Sequence, residues 1–506
     1  MTPRSLTNLF LSLAIVLGLA GCGLSQPPNI SPDQSVPVSD TAGAQAPVQI
    51  PFTLAYYPNY SIHPVLAENR ANHALVPLLY EGLFAVDDTF QATPVLCERY
   101  TASPDGLVWT FTLRAGVLFS DGTPLTGQLA ADALKQALSP GSRYSGRITG
   151  LRSITGTESE VVVTLTQPRG DLPVLLDIPI ALGSDSVPPG TGAYRLVYRG
   201  DEPVLQARED WWQQLPPAFD TIRLSPIQQA DDLISAFDSG EVTLLDADLT
   251  GTNALGYSGS YEAWDYPTTT LLYLGFNTAK GYFASPARRQ AVSQAIDRQS
   301  IATIPYARHA VAAALPFHPD SPLYLDALAD QVTYSPDVLA QTLADAPPPA
   351  QPLKLLVNSE NNAKAAAAEY IAYQLETAGL AVQVEKLPWD SFLSSLRSGS
   401  FDLYVGEVML TADFDLSALL CSSGSLNYGR WTDRQTDELV AALRAAFGEQ
   451  RPLCAGALAA HLNEQVPIAP ICFKNGSVLT QWGRLTGLAP RQNNIFFGLE
   501  SWLLDP

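Results

Sequence analysis

The chain has 506 residues, 46% of them hydrophobic and 16% charged, and its 50 acidic against 29 basic side chains give a formal net charge of −21. Such a balance is repelled by nucleic acid and by anionic lipid, which excludes electrostatic recognition of either. The length exceeds what one hydrophobic core covers, so at least two lobes are expected.

In chain order, Arg4 precedes an apolar stretch, Leu9 to Ala20, that closes on Leu19-Ala20-Gly21-Cys22. This stretch suits the core of a signal peptide and falls short of the roughly 18 residues that span a bilayer. Residues 1–21 therefore read as an export signal. The site resembles the bacterial lipobox, which implies a diacylglyceryl group on Cys22 and a protein tethered to the extracytoplasmic face of the cell membrane. An ordinary secretory signal with a chance cysteine is the alternative. Residues 22–49 are dominated by Pro, Ser, Gln, Asp and Ala without apolar periodicity, the composition of a flexible linker.

The folded body begins near Ile50. In DGLVWTFTLRAGVLFSDGTPL, from Asp105, the residues Leu107, Trp109, Phe111 and Leu113 alternate with Val108, Thr110 and Thr112, which predicts a strand with one buried face. Asp105-Gly106 and Asp121-Gly122 supply turns. Thr126 is placed to cap a helix carrying Leu129, Ala133, Leu134, Ala137 and Leu138. Glu160 to Leu165 alternates again, and Gly190 to Leu196 leads into a further strand. Beyond Leu353 the pattern becomes strand Leu353–Val357, helix Ala363–Thr377, strand Leu380–Val384, helix Trp389–Arg397 and strand Phe401–Val408. That is a βαβαβ unit with a largely parallel sheet. Ligands of such sheets sit beyond the strands' carboxyl ends, where the loop after Val408 carries Asp413 and Asp415.

Apart from Cys22, the cysteines are Cys97, Cys421, Cys454 and Cys472, and their spacing matches no zinc pattern. In an oxidising compartment Cys454 and Cys472 would close a loop worth about 3 kcal/mol. Buried free thiols are the alternative. The histidines His63, His73, His309, His318 and His461 form no metal-spaced pair. No G-x-S-x-G, H-E-x-x-H, P-loop or G-x-G-x-x-G after a strand occurs, so neither an enzyme nor a cofactor or metal site is expected.

The stretch DGLVWTFTLRAGVLFSDGTPLT resembles the signature of the peptide/nickel-type (family 5) solute-binding proteins of ABC importers. YEGLFAVDD at Tyr80, GTGAYRL at Gly190, YLGFNT at Tyr273, SPARRQAVSQAIDR at Ser285, FDLYVGEV at Phe401 and VPIAPICFKN at Val466 agree with that family in order and spacing. The resemblance implies an α/β, two-lobed periplasmic-binding-protein-like fold (type II, cluster C-like) with a hinge and a discontinuous N-terminal lobe. The corresponding divisions are 50–272 for the first lobe, 273–478 for the second and 479–506 for the return segment, with crossings near Tyr273 to Asn277 and Phe473 to Trp482. It further implies a peptide ligand enclosed between the lobes and handed on to a permease and its ATPase, by a protein expected to act as a monomer.

Peptide binders of this family resemble one another in a loop carrying an Asp that pairs with the ligand ammonium. Here the tract is GEVMLTADFDLSALL, in which Asp413 matches best, Asp415 competes, and the usual Trp is absent. A helix N-cap for Leu416 to Leu420 is the structural alternative for either. Asn427 and Tyr428, in SLNYGRW, resemble the polar segment that follows this loop in relatives. Trp389, Trp264 and Tyr273 are candidate walls of side-chain pockets, with core roles as the alternative. A binder of nickel or another small solute, and a peptide-sensing receptor, are the competing functions on this fold.

Overall fold

The structure, a computed structural model, describes residues 51–504 apart from residue 253. The export signal 1–21, Cys22 and the linker 22–49 lie outside the described residues.

An 11-stranded mixed sheet forms the backbone of the molecule. In one half, Leu353–Asn358 lies parallel to both Val382–Leu387 and Leu403–Met409. Helices Asn362–Thr377 and Trp389–Ser398 make the crossovers, as the periodicity predicts. Both faces are covered: Leu355, Val357 and Val405 pack with Ile371 and Leu375, while Leu356 and Tyr404 pack with Phe414 and Leu458. Burial on both faces explains why Leu353–Val357 reads as a nearly continuous apolar run.

In the other half, Thr53–Tyr56 lies parallel to Thr221–Pro226 and Leu244–Ala247. Phe52, Leu54 and Leu224 pack there with Leu485, Phe496 and Trp502, so the C-terminal segment completes the core that the first described strand begins. Two long antiparallel strands, Tyr261–Phe276 and Ile468–Gln481, belong to both halves. Leu244–Ala247 pairs with Ser477–Thr480 on one side, and Leu403–Met409 pairs with Thr270–Phe276 on the other. Between these attachments the register of the long pair shifts from Pro267/Asn475 to Leu271/Phe473. Pro267 lacks an amide donor and favours such a bulge. The break falls a few residues before Tyr273, where the first crossing is expected.

The stretch around Trp109 is better organised than the sequence suggests. Cys97–Ala102, Val108–Leu113, Glu160–Leu165 and Leu151–Gly156 form a separate four-stranded antiparallel sheet. Helix Gly127–Ala137 packs on it, with Thr126 Oγ1 accepting from Leu129 N at 3.2 Å as its cap. Trp109, Phe111, Leu134, Val161 and Val163 make a core of its own. The alternation is as expected, with Trp109, Phe111 and Leu113 inward. Each inward side chain contributes about 1.5–3 kcal/mol.

One expectation is corrected here. Cys97, Cys421, Cys454 and Cys472 are all free thiols. Cys472 belongs to the cluster on one face of the sheet, whereas Cys454 lies on the helix packed against the other, so the chain offers no path between them.

The sheet also settles Tyr273. It stands directly opposite Gly406, and Tyr404 stands opposite Gly275. Each ring covers the facing glycine: a Cβ on Gly406 would fall 2.2 Å from Tyr273 Cζ, and one on Gly275 would fall 2.1 Å from Tyr404 Cε1. The two rings meet edge to face at 5.8 Å. Gly406→Ala should therefore displace Tyr273 and cost about 1–3 kcal/mol of stability. Denaturant unfolding checks this, and an unchanged midpoint would contradict the packing described.

Candidate functional site

Where the two halves face one another, a cavity of about 290 Å³ lies over the bulge of the long strands. Its floor is Tyr266–Thr270 and Lys474–Gly476; Met409, Leu410 and Ala412, from the loop after strand Leu403–Met409, close it from the second half. Arg70, His73, Asp246 and Asp248 line it from the first half, and Arg143 and Arg147 from beside the four-stranded sheet. Three consecutive threonines hold the floor. Thr268 Oγ1 donates to Lys474 O at 2.6 Å and accepts from Thr270 N at 3.1 Å, while Thr269 Oγ1 donates to Leu410 O at 2.6 Å. Gln492 Oε1 accepts from Thr269 N at 3.1 Å. Side chains thus replace ladder bonds that the bulge cannot make.

The acidic groups of this cavity are already engaged. Arg70 donates twice to Asp246, Nε and Nη2 each at 2.9 Å, and Tyr266 Oη donates to the same carboxylate at 2.8 Å. Lys474, almost fully buried, lies 3.6 Å from Asp248 and 3.5 Å from Glu407. Arg491 pairs with Asp88 at 3.1 Å. Arg143 is different. It donates to Ala67 O at 3.1 Å and, among the described residues, forms no ion pair. Arg143 is exposed on the cavity rim, and partial desolvation with the nearby charge of Arg70 lowers its pKa from the usual guanidinium value. Beside it His73 keeps Nε2 without a hydrogen-bond partner. Burial first, then Arg143 and Arg70, pushes this imidazole down to about 3, so it is neutral at physiological pH.

Asp413 occupies a neighbouring but distinct place. It is buried and ion-paired with Arg169, which lies in the connection after the four-stranded sheet. Thr411 Oγ1 donates to its other oxygen. Arg169 Nη2 reaches Asp415 at 3.1 Å and Thr149 Oγ1 at 2.9 Å. Arg451 adds a bond to Asp413 O at 3.1 Å and an ion pair to Asp171 at 3.3 Å. Asp415 also accepts from Ser417 N at 2.9 Å, at the start of helix Ser417–Leu420, the bracing role that sequence left open. Burial works against ionising Asp415, but the Ser417 hydroxyl and Arg169 hold its pKa below the usual value. Trp109 stacks on Phe447 at 5.8 Å beside this cluster, and Phe90, at the tip of hairpin Phe84–Pro94, packs on Phe414 at 5.2 Å.

The remaining candidates lie away from the cavity. Asn427 braces its own loop, with Nδ2 donating to Trp431 O at 2.7 Å and Oδ1 accepting from Trp431 N at 2.9 Å. Tyr428 meets Tyr404 edge to face at 6.3 Å, and Tyr273 is core. Trp264 Nε1 donates to Thr480 Oγ1 at 3.3 Å along the long strands. Trp389 opens its helix half-exposed, against Phe392. The groups that do line the cavity had one local signal in the sequence: Asp246 interrupts an otherwise apolar strand, and Lys474 ends the apolar run Ile468–Phe473.

The family described as bacterial extracellular solute-binding proteins, family 5 (middle), matches residues 91–427. The glutathione-binding protein GsiB of Salmonella typhimurium is 27% identical over 272 residues, 50% of this chain and 53% of that protein, so the chain spans about half the length of such curated relatives in the match. The structure of HbpA2 from Haemophilus parasuis superposes with a TM-score of 0.75 at 21% identity, covering 90% of this chain and 99% of that one. That of the oligopeptide-binding protein AppA from Bacillus subtilis, in complex with a nonapeptide, superposes with 0.61 at 20% identity, covering 90% and 98%. The family match takes in well over half of the sequence, and the chain belongs to family 5 of the bacterial extracellular solute-binding proteins.

Proposed function

We propose that this protein is the lipid-anchored substrate-binding component of an ABC importer, enclosing a short peptide between its two halves and delivering it unchanged to a permease and ATPase. The observation that carries the reading is the cavity over the bulge, where Arg143 forms no ion pair among the described residues and His73 is neutral, while Asp246, Asp248 and Asp88 are paired with Arg70, Lys474 and Arg491. Such a site suits a ligand that brings a carboxylate of its own and main-chain amides for the surrounding hydrogen-bonding groups. The glutathione-binding and nonapeptide-bound relatives accord with a peptide ligand.

The bulge at Pro267–Leu271, opposite Phe473–Asn475, serves in this reading as the hinge between a first lobe that regains the C-terminal segment and a second lobe built on the βαβαβ unit. The Arg169 cluster then acts as a contact that fastens the four-stranded unit to the second lobe. Asp413 contributes there as the partner of Arg169, not as the seat of a ligand ammonium. Cys22 supplies the anchor and residues 22–49 the tether, which keep the protein at the membrane where its permease resides.

Calorimetric titration with a tripeptide and its C-terminal amide tests the carboxylate reading. The free acid should bind about 10- to 100-fold more tightly than the amide, and Arg143→Ala should erase that difference. Equal binding of both by the unaltered protein would refute it. Arg169→Ala leaves Asp413 buried without its cation and should cost about 3–5 kcal/mol in denaturant unfolding. A loss within experimental error would show that the cluster fastens nothing. Cys22→Ser should move the protein from the membrane fraction to the soluble one; unaltered fractionation would count against the anchor.

A further inference from the structure

Next to the polar cavity lies a second, larger space of about 540 Å³. The two meet at Arg70, Asp246 and Asp248, which line both. Beyond that shared edge the walls are predominantly apolar, with Ala71 and Ala74 on helix Arg70–Ala74, Leu245 on the adjoining strand, and Leu255, Tyr257 and Phe496 opposite. The space sits where Thr53–Tyr56 and Leu244–Ala247, two parallel strands, reach their carboxyl ends, the position at which open α/β sheets bind ligands. It adjoins the polar cavity along Arg70, Asp246 and Asp248, within reach of a side chain of a ligand bound there.

The shared edge decides which chemistry passes. Both oxygens of Asp246 are engaged, by two donors from Arg70 and one from Tyr266, so the carboxylate has no charge to offer a cationic side chain. Asp248 accepts from Thr250 N at 3.2 Å and lies beside Lys474. A charged group moved past this edge would lose its water and gain no counter-ion. An apolar group would gain the full benefit of leaving water.

We propose that the chamber is a specificity pocket receiving one large aliphatic or aromatic side chain of the peptide. The inference rests on the peptide-binding reading and narrows its substrate class to carboxylate-bearing peptides with a bulky apolar residue. Ala71 and Ala74 are its size-determining positions, because their small side chains leave the volume open next to the mouth.

The test is calorimetric titration of the full-length protein, freed of carried ligand, with Gly-Gly-Gly, Phe-Gly-Gly, Gly-Phe-Gly and Gly-Gly-Phe. At least one phenylalanine peptide should bind about 10- to 100-fold more tightly than Gly-Gly-Gly. Ala74→Phe should abolish the ratio between the phenylalanine peptides and Gly-Gly-Gly, and Ala71→Phe serves as the second filling variant should the first not fold. Gly-Gly-Gly binding as well as all three phenylalanine peptides would overturn the pocket while leaving the peptide reading intact, as would a preference that survives filling. Failure of every tripeptide to bind would overturn the peptide reading itself, and the pocket with it.

Discussion

Everything else in this molecule depends on two strands that cannot slide. Tyr261–Phe276 and Ile468–Gln481 are hydrogen-bonded to each other on both sides of the cavity, and each is also fixed to further strands of its own half. A slip of one residue would turn every inward side chain outward, so translation of one half against the other is closed off. What remains is rotation about the bulge. There the ladder is interrupted, and the bonds are made by threonine hydroxyls and the Gln492 amide, whose torsions adjust without breaking a sheet. A stiff pair whose ladder is irregular only between Pro267 and Tyr273 is the arrangement the proposed hinge would need.

The Arg169 cluster imposes a second constraint, of opposite character. Two guanidinium groups and three carboxylates are brought together between the four-stranded unit and the βαβαβ half, and Arg169 and Asp413 are each only 3% exposed. Desolvating such groups is expensive, so the arrangement is a poor source of net stability and a good source of specificity, because any misfit strands a buried charge. Phe90 and the Trp109–Phe447 stack supply the apolar burial that the ions do not. The four-stranded unit is thereby committed to one seating on its neighbour.

Local patterns told much of this in advance. The alternation around Trp109, the Thr126 cap and the βαβαβ order all follow from side-chain periodicity, which is a property of contiguous residues. Tyr273 and Gly406 show where such reading stops. YLGF and YVGE each look like a strand carrying an aromatic, and only the register, with tyrosine opposite glycine in both directions, reveals that the rings fill the space above the facing backbone. The four-stranded unit escaped notice for a related reason: its strands are legible one by one, but a core of its own is a fact about how they assemble. The loop sequence makes Asp413 a candidate for a ligand ammonium, yet the partner it has here, Arg169, lies 244 residues away, and no spacing rule connects them. Arg70, Arg143, Asp246 and Lys474 likewise converge from four distant segments.

The contrast between surface and cleft bears on how a protein of net charge −21 binds an anionic ligand. Charges separated by more than about 8 Å through physiological solution are largely screened, so the acidic exterior contributes little inside a closed cavity. A carboxylate bound there would meet its immediate surroundings, where Asp246, Asp248 and Asp88 are paired with Arg70, Lys474 and Arg491 and Arg143 forms no ion pair among the described residues. In the proposed reading, the pairing of Asp246, Asp248 and Asp88 is what leaves Arg143 available to an anion, and the apolar space beside the cavity would add a contribution that needs no charge at all.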